Sequence, residues 1–332
     1  MTVNFSVKPA SAGSLILFLL VSLLAGCASS PNWPGQAAAP GSPAVPERVV
    51  LEDVPFFPQE RYQCGPASLA MMLNSQGLET SPEILKELVY IPGREGALQV
   101  EMVAAARAHG MLVYPLDGSL ESLLREVAAG HPVLVMQNLR FGWWPQWHFA
   151  VVIGYDQQQR DLILHTDTRE RQPVDIEVFH NTWGRADNWA MTILPPDQVP
   201  ATAEPLRFLQ SAHDLETTGR TNAAAVAYST AESTWPGQPA APMARGNLAW
   251  QLGRQHAATQ HFLRTVRHFP DFAEGWNNLA FALDATGCPI TAHAAASCAA
   301  MLAPARFGNS ELLNPQPGAA PDGCPALPAC PP

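Results

Sequence analysis

The residues most suited to chemistry surround Cys64, in the stretch Gln59-Glu60-Arg61-Tyr62-Gln63-Cys64-Gly65-Pro66-Ala67-Ser68. Pro66 suits the first turn of a helix, and the apolar run from Ala67 to Leu73 continues it, so the thiol stands at a helix mouth. There the positive end of the helix dipole favours thiolate, the form that attacks carbonyl carbon. A lone cysteine can equally be a buried structural residue. Nucleophilic use of Cys64 requires a base, a group to orient the base and donors for a developing oxyanion. His148 opens the apolar run His148-Phe149-Ala150-Val151-Val152-Ile153-Gly154 and is the candidate general base and acid. Asp167 closes the next strand pattern, Leu162-Ile163-Leu164-His165-Thr166-Asp167. If these two strands are adjacent and antiparallel, Asp167 reaches the His148 ring and orients it. Gln59, five residues before Cys64, is the candidate oxyanion donor through its side-chain amide.

Together these motifs resemble the papain-like cysteine peptidases that process double-glycine bacteriocin leader peptides, and their exported relatives. That family shows a glutamine before a Cys-Gly-x-Ala helix start, a His-Phe-x-Val-Val-x-Gly strand, and an aspartate at the end of the following strand. The resemblance covers roughly residues 50–194 and implies a peptide or protein substrate and no cofactor. By position it makes Cys64 the nucleophile, His148 the base, Asp167 the orienting acid and Gln59 the oxyanion residue. The spacing from Gln59 to Cys64 is shorter than the family's, which leaves Gln63 as a second candidate. Thr168-Arg169-Glu170 follows Asp167, where the family often has a proline.

The elements that must position these residues are legible as patterns. Helices are predicted over 66–75, 82–89, 99–109 and 119–129, with Gly77, Gly110 and Gly130 as stops and Ser119 as an N-cap. Strands are predicted over 111–116, 132–139, 148–155, 161–165 and 188–194. Helices first and a run of strands later predict an α+β fold over residues 49–195, with a helical layer on an antiparallel sheet. The dense aromatic segment Phe141-Gly142-Trp143-Trp144-Pro145-Gln146-Trp147 would form either a substrate-side wall or a satellite core cluster. His165, His180, Asp156 and Asp161 read as packing or surface residues.

Pro195-Pro196-Asp197-Gln198-Val199-Pro200 marks a boundary. Beyond it, Gly219, Gly253 and Gly287 recur every 34 residues, as do Pro236, Pro270 and Pro304. Ala224, Ala258 and Ala292 keep the same period. The period and the small-residue positions predict three tetratricopeptide units over residues 205–306, an all-α domain suited to holding a protein partner. Residues 307–332 are a proline-rich tail. Cys288, Cys298, Cys324 and Cys330 form an even set of four, and the three possible disulfide pairings are equivalent on spacing alone.

At the other end, Lys8 precedes a short apolar run that closes in Leu24-Ala25-Gly26-Cys27. This resembles the lipobox of bacterial lipoproteins, which implies removal of residues 1–26 as a signal peptide and lipidation of Cys27. Ala28 and Ser29 follow without an aspartate, so the resemblance implies the outer membrane of the cell envelope, with the protein facing the periplasm. Residues 27–48 carry Ser, Pro, Gly and Ala without apolar periodicity and read as a flexible tether.

The chain has 332 residues, 47% hydrophobic, enough for two cores. A formal net charge of −10 offers no basic surface for nucleic acid, and no Cys/His grouping has the spacing of a metal site. Two other functions fit the same residues. One is a non-catalytic scaffold, against which stands the joint presence of Cys64, His148 and Asp167. The other is an acyltransferase or amidase using the same thiol.

Overall fold

The computed structural model describes residues 46–59, 63–94, 96–314 and 323–332. Cys27, the signal segment and nearly all of the tether lie outside them. In chain order the first part comprises β1 (Arg48–Val50), α1 (Cys64–Asn74), α2 (Pro82–Val89), β2 (Tyr90–Ile91), β3 (Gly96–Ala97), α3 (Gln99–Ala108), β4 (Leu112–Pro115), α4 (Leu120–Ala128) and β5 (Val133–Asn138). It continues with β6 (Trp147–Asp156), β7 (Asp161–Thr166), β8 (Arg169–Asp175), α5 (Ile176–Gly184) and β9 (Ala190–Leu194).

The main sheet is antiparallel throughout, in the order β4-β9-β5-β6-β7-β8, with β1 extending it along β6. β5 to β8 form a meander, and β9 returns to fill the place between β5 and β4. Residues of α1, α2 and α3 such as Leu69, Met72, Leu85 and Met102 cover one face, against Leu134, Val151, Ile153 and Ile193. On the opposite face Leu123, Val127, Phe179 and Trp183 of α4 and α5 pack against Val135, Ala150, Val152 and Leu164. The sheet is therefore covered on both faces, where the sequence pattern suggested a single helical layer. Both-sided burial also explains why β6 reads as a continuous apolar run rather than an alternating one.

Five elements of this part went unread in the sequence, two of them the short pair β2 and β3. β1 begins at Arg48, inside the expected tether, and pairs Arg48, Val49 and Val50 with Asp156, Tyr155 and Gly154. β8, Arg-Glu-Arg-Gln-Pro-Val-Asp, is a mostly exposed edge strand. Its charges and Pro173 suit an edge, where no outer neighbour needs the missing N–H. α5 did carry a signal: Asp175 caps it, accepting from the N–H groups of Glu177 (3.0 Å) and Val178 (3.2 Å).

Six long helices follow in three antiparallel pairs: α6 (Pro205–Thr217) with α7 (Thr221–Thr234), α8 (Ala240–Gln251) with α9 (Gln255–His268), and α10 (Ala273–Ala285) with α11 (Pro289–Leu302), and then one short helix, α12 (Pro304–Phe307). Gly219, Gly253 and Gly287 occupy the turn inside each pair with φ of 79°, 70° and 81°, a conformation that glycine adopts without a Cβ clash.

The two parts share a core. Leu112 and Tyr114 of β4 pack with Phe208, Leu209, Ala212 and Leu215 of α6, and Arg107 pairs with Asp214. Tyr114 donates to the Thr202 carbonyl (3.2 Å) and accepts from the Glu204 N–H (3.0 Å), which fixes the connection.

The tail closes the last helix pair. Disulfides join Cys288 to Cys324 and Cys298 to Cys330, and Leu312, Leu313 and Leu327 pack against the same core. Replacing Cys324 and Cys330 by Ser is expected to lower stability by about 2–4 kcal/mol per bridge. The check is a urea titration of the full chain, in which a reductant should move the wild type and leave the double variant unmoved.

Candidate active site

Cys64 is the first residue of α1, and among the described cysteines it is the one free thiol. The helix is apolar on all sides and buried from Gly65 to Leu73, which anchors the thiol on a rigid element. Gly65 is needed for close approach: a Cβ there would lie 2.5 Å from the Ala97 Cβ of β3. Burial pushes the Cys64 pKa up, against hydrogen bonds from the Phe149, Gly65 and Cys64 N–H groups. The helix mouth alone suggested a stabilised thiolate. Desolvation outweighs the donors, so the resting form at neutral pH is the thiol.

His148, the second residue of β6, faces Gln137 of β5 across the ladder. Its Nε2 lies 2.7 Å from Thr166 Oγ1. Burial lowers its pKa to about 4, with the Asp167 charge opposing and the Arg169 charge adding to the fall. Among the described contacts none joins the His148 ring to the Cys64 sulfur. The link is the peptide group between residues 148 and 149, whose N–H bonds the sulfur. Nε2 is the ring nitrogen engaged by Thr166.

Asp167 lies in the turn between β7 and β8 at φ 54°. Its carboxylate is more than half exposed and stands 3.8 Å from Arg169. It reaches His148 through its charge, while the hydrogen bond expected of it is made by Thr166. Leu164, Thr166 and Asp167 all line the same cavity as His148, and at the left-handed turn the Asp167 carboxylate remains more than half exposed.

Gln59 is buried and central. Its backbone N–H donates to the Asp167 carbonyl (2.8 Å), and its Oε1 accepts from the Asp167 N–H (3.1 Å). Its Nε2 donates to Ser68 Oγ of α1 (3.0 Å) and to the Phe149 carbonyl (3.3 Å). One side chain thus fastens α1, β6 and the β7–β8 turn together. Both amide hydrogens are occupied in this state, the longer bond being the one to Phe149. Gln63 holds the N-cap position, makes no side-chain cap bond, and accepts from the Ala67 N–H through its carbonyl (3.0 Å).

Thr166 escaped the sequence reading. Its signal was its position, one residue inside the aspartate and on the alternate face of β7. His165, by contrast, is a satisfied core residue: Nε2 contacts the Val54 carbonyl (3.1 Å) and Nδ1 accepts from the Arg171 N–H (3.1 Å). No group of three or more His, Cys, Asp or Glu that could hold a metal occurs among the described residues.

No curated protein matches the chain. Among solved structures it is similar to a candidate C39-like peptidase from Bacillus anthracis, with 21% identity and a TM-score of 0.38, over 45% of this chain and 98% of that one. It is also similar to the peptidase domain of Streptococcus ComA, a bifunctional ABC transporter involved in a quorum-sensing pathway. There the identity is 22% and the TM-score 0.35, over 43% of this chain and 98% of that one. Residues 51–191, the segment that holds Gln59, Cys64, His148 and Asp167, match the model of the Peptidase_C39 like family.

Proposed function

We propose that the chain is a cysteine peptidase of the cell envelope, with Cys64 as nucleophile and His148 as general base and acid. The observation that carries this is the hydrogen bond to the Cys64 sulfur from the N–H of Phe149, the residue next to His148, whose ring Nε2 lies against Thr166 Oγ1. The thiol proton passes to His148 as sulfur bonds the substrate carbonyl carbon. The carbon–nitrogen bond then breaks, and His148 returns the proton to the leaving amine. Water, deprotonated by His148, cleaves the thioester and the proton goes back to sulfur. The Cys64 N–H, at the open end of α1, and the Gln59 amide, released from Phe149, supply the oxyanion donors. Asp167 supports the imidazolium through its charge.

Lipidation of Cys27 holds the protein at the outer membrane facing the periplasm. The two disulfides fit an oxidising compartment. No helix among the described residues is long and apolar enough to cross a membrane. The three helix pairs act as tetratricopeptide units that recruit a protein substrate or partner.

The test is labelling of the full chain with a thiol-directed acyl probe beside digestion of candidate peptides. Labelling and cleavage that persist in Cys64→Ala discard the reading. Thr166 is expected to act as a positioning residue. Thr166→Val removes the hydroxyl at nearly constant volume and should lower kcat about 10–100-fold with KM little changed. Thr166→Ser should restore most of the rate. The check is a kcat profile over pH, in which the valine variant moves the acidic limb and the serine variant does not.

A further inference from the structure

The β5–β6 connection and the first residue of β6 carry four large exposed side chains: Phe141 (63% exposed), Trp143 (79%), Trp144 (61%) and Trp147 (52%). Phe141 stacks flat on Trp143, with ring centroids 5.6 Å apart. The loop is held in place. Asn138 Oδ1 accepts from the N–H groups of Arg140 (3.1 Å) and Gln146 (3.0 Å), and Arg185 Nε donates to the Asn138 carbonyl (3.1 Å). Neither core cluster of the sheet includes these rings, so the satellite-core alternative does not describe them.

The base of this ledge opens into a cavity of about 450 Å³. Its walls include Leu139, Leu164 and Val178 as apolar surface, together with His148 and Thr166. Ledge, cavity and His148 are therefore continuous, and Cys64 is not part of the lining.

Reaction chemistry gives this arrangement a direction. The group that protonates the departing amine stands on the side toward which that amine leaves. A cavity bordered by His148 and not by Cys64 faces the leaving segment. We propose that ledge and cavity bind the leaving, C-terminal side of an extended polypeptide. An aliphatic or aromatic side chain close to the scissile bond enters the cavity, and the segment beyond it lies across the tryptophans. This rests on the peptidase reading above. Clustered aromatic rings give large contact area at small entropic cost, as in binding hot spots.

The full chain would be incubated with a peptide library made by cutting a bacterial lysate after glutamate, and new amino termini sequenced by mass spectrometry. Wild type is expected to show apolar residues enriched at the first two positions after the cut. The variant Phe141→Ser/Trp143→Ser/Trp144→Ser should lose that enrichment. Its kcat/KM for a selected peptide should fall about 10-fold or more. Turnover of an aminocoumarin amide with the same acyl side, which has no leaving-side residue, should stay unchanged. Cuts without apolar preference after the bond, or equal losses on both substrates, overturn the inference while leaving the peptidase. A variant with an unaltered cleavage profile that no longer binds phosphatidylethanolamine/phosphatidylglycerol vesicles assigns the ledge to lipid and likewise overturns it. Absence of any cut that Cys64→Ala abolishes overturns the peptidase reading, and this inference with it.

Discussion

Cys64→Ala is expected to reduce peptide hydrolysis by about 10⁴-fold or more, with the thermal transition nearly unchanged. Removing a covalent nucleophile takes away the acyl-enzyme route, and the remaining groups give only the residual rate of binding and oxyanion donors. The small stability effect follows from the site: the sulfur is only partly buried and its partners are backbone N–H groups that other acceptors can serve. A pH dependence accompanies this. The His148 pKa is held down at about 4, and that of Cys64 is raised above its ordinary value by burial. At neutral pH the resting pair is thus thiol and neutral imidazole, not thiolate and imidazolium. Alkylation of Cys64 by iodoacetamide should be slow at pH 7 and accelerate into the alkaline range. Rapid alkylation at pH 5, the mark of a preformed ion pair, would contradict the neutral pair.

The largest stability effect is expected at Glu126, a carboxylate fully buried in α4. It accepts from the N–H groups of Ala201 (3.1 Å) and Thr202 (2.7 Å), from the Thr202 hydroxyl (2.5 Å), and pairs with His131 Nδ1 (2.7 Å). These bonds fasten the proline-rich connection against the sheet part just before α6 begins. Glu126→Ala leaves several buried donors without an acceptor and should cost about 3–5 kcal/mol. Glu126→Gln should cost less, because one oxygen acceptor survives. The readout is a urea titration together with limited proteolysis, in which the alanine variant is cut within residues 196–204 before wild type. Burial pushes the Glu126 pKa up, but the bonds from His131 and Thr202 together hold it below its ordinary value. A lowered carboxylate pKa stabilises the fold above the unfolded value, and that contribution is lost as pH falls through the folded one. Wild type should therefore lose stability on acidification below about pH 4.3 more steeply than Glu126→Ala.

Much of the local structure was written in the sequence because its causes are local. Ser119 accepts from the Ser122 N–H (3.1 Å) and starts α4 as its type demands. Gly77, Gly110 and Gly130 all take positive φ after their helices. β8 was unreadable because an exposed edge strand has no buried face to impose alternation, and α5 was passed over although Asp175 announced it. The position of β9 between β4 and β5 is a matter of long-range pairing, which no window of residues contains.

For the site, the sequence by itself determined which groups are available: a thiol at a helix start, an imidazole at the head of an apolar strand, a glutamine and an aspartate nearby. Tertiary structure alone decided how they are used. The meeting of β6 and β7 gave the ring's contact with Thr166 and left the Asp167 carboxylate more than half exposed. Packing around α1 made desolvation outweigh the N–H donors at Cys64. It also drew Gln59 into a buried clasp between α1, β6 and the β7–β8 turn. Residue type is a local property, whereas the partner and the dielectric around each group come from segments distant along the chain that folding brings together.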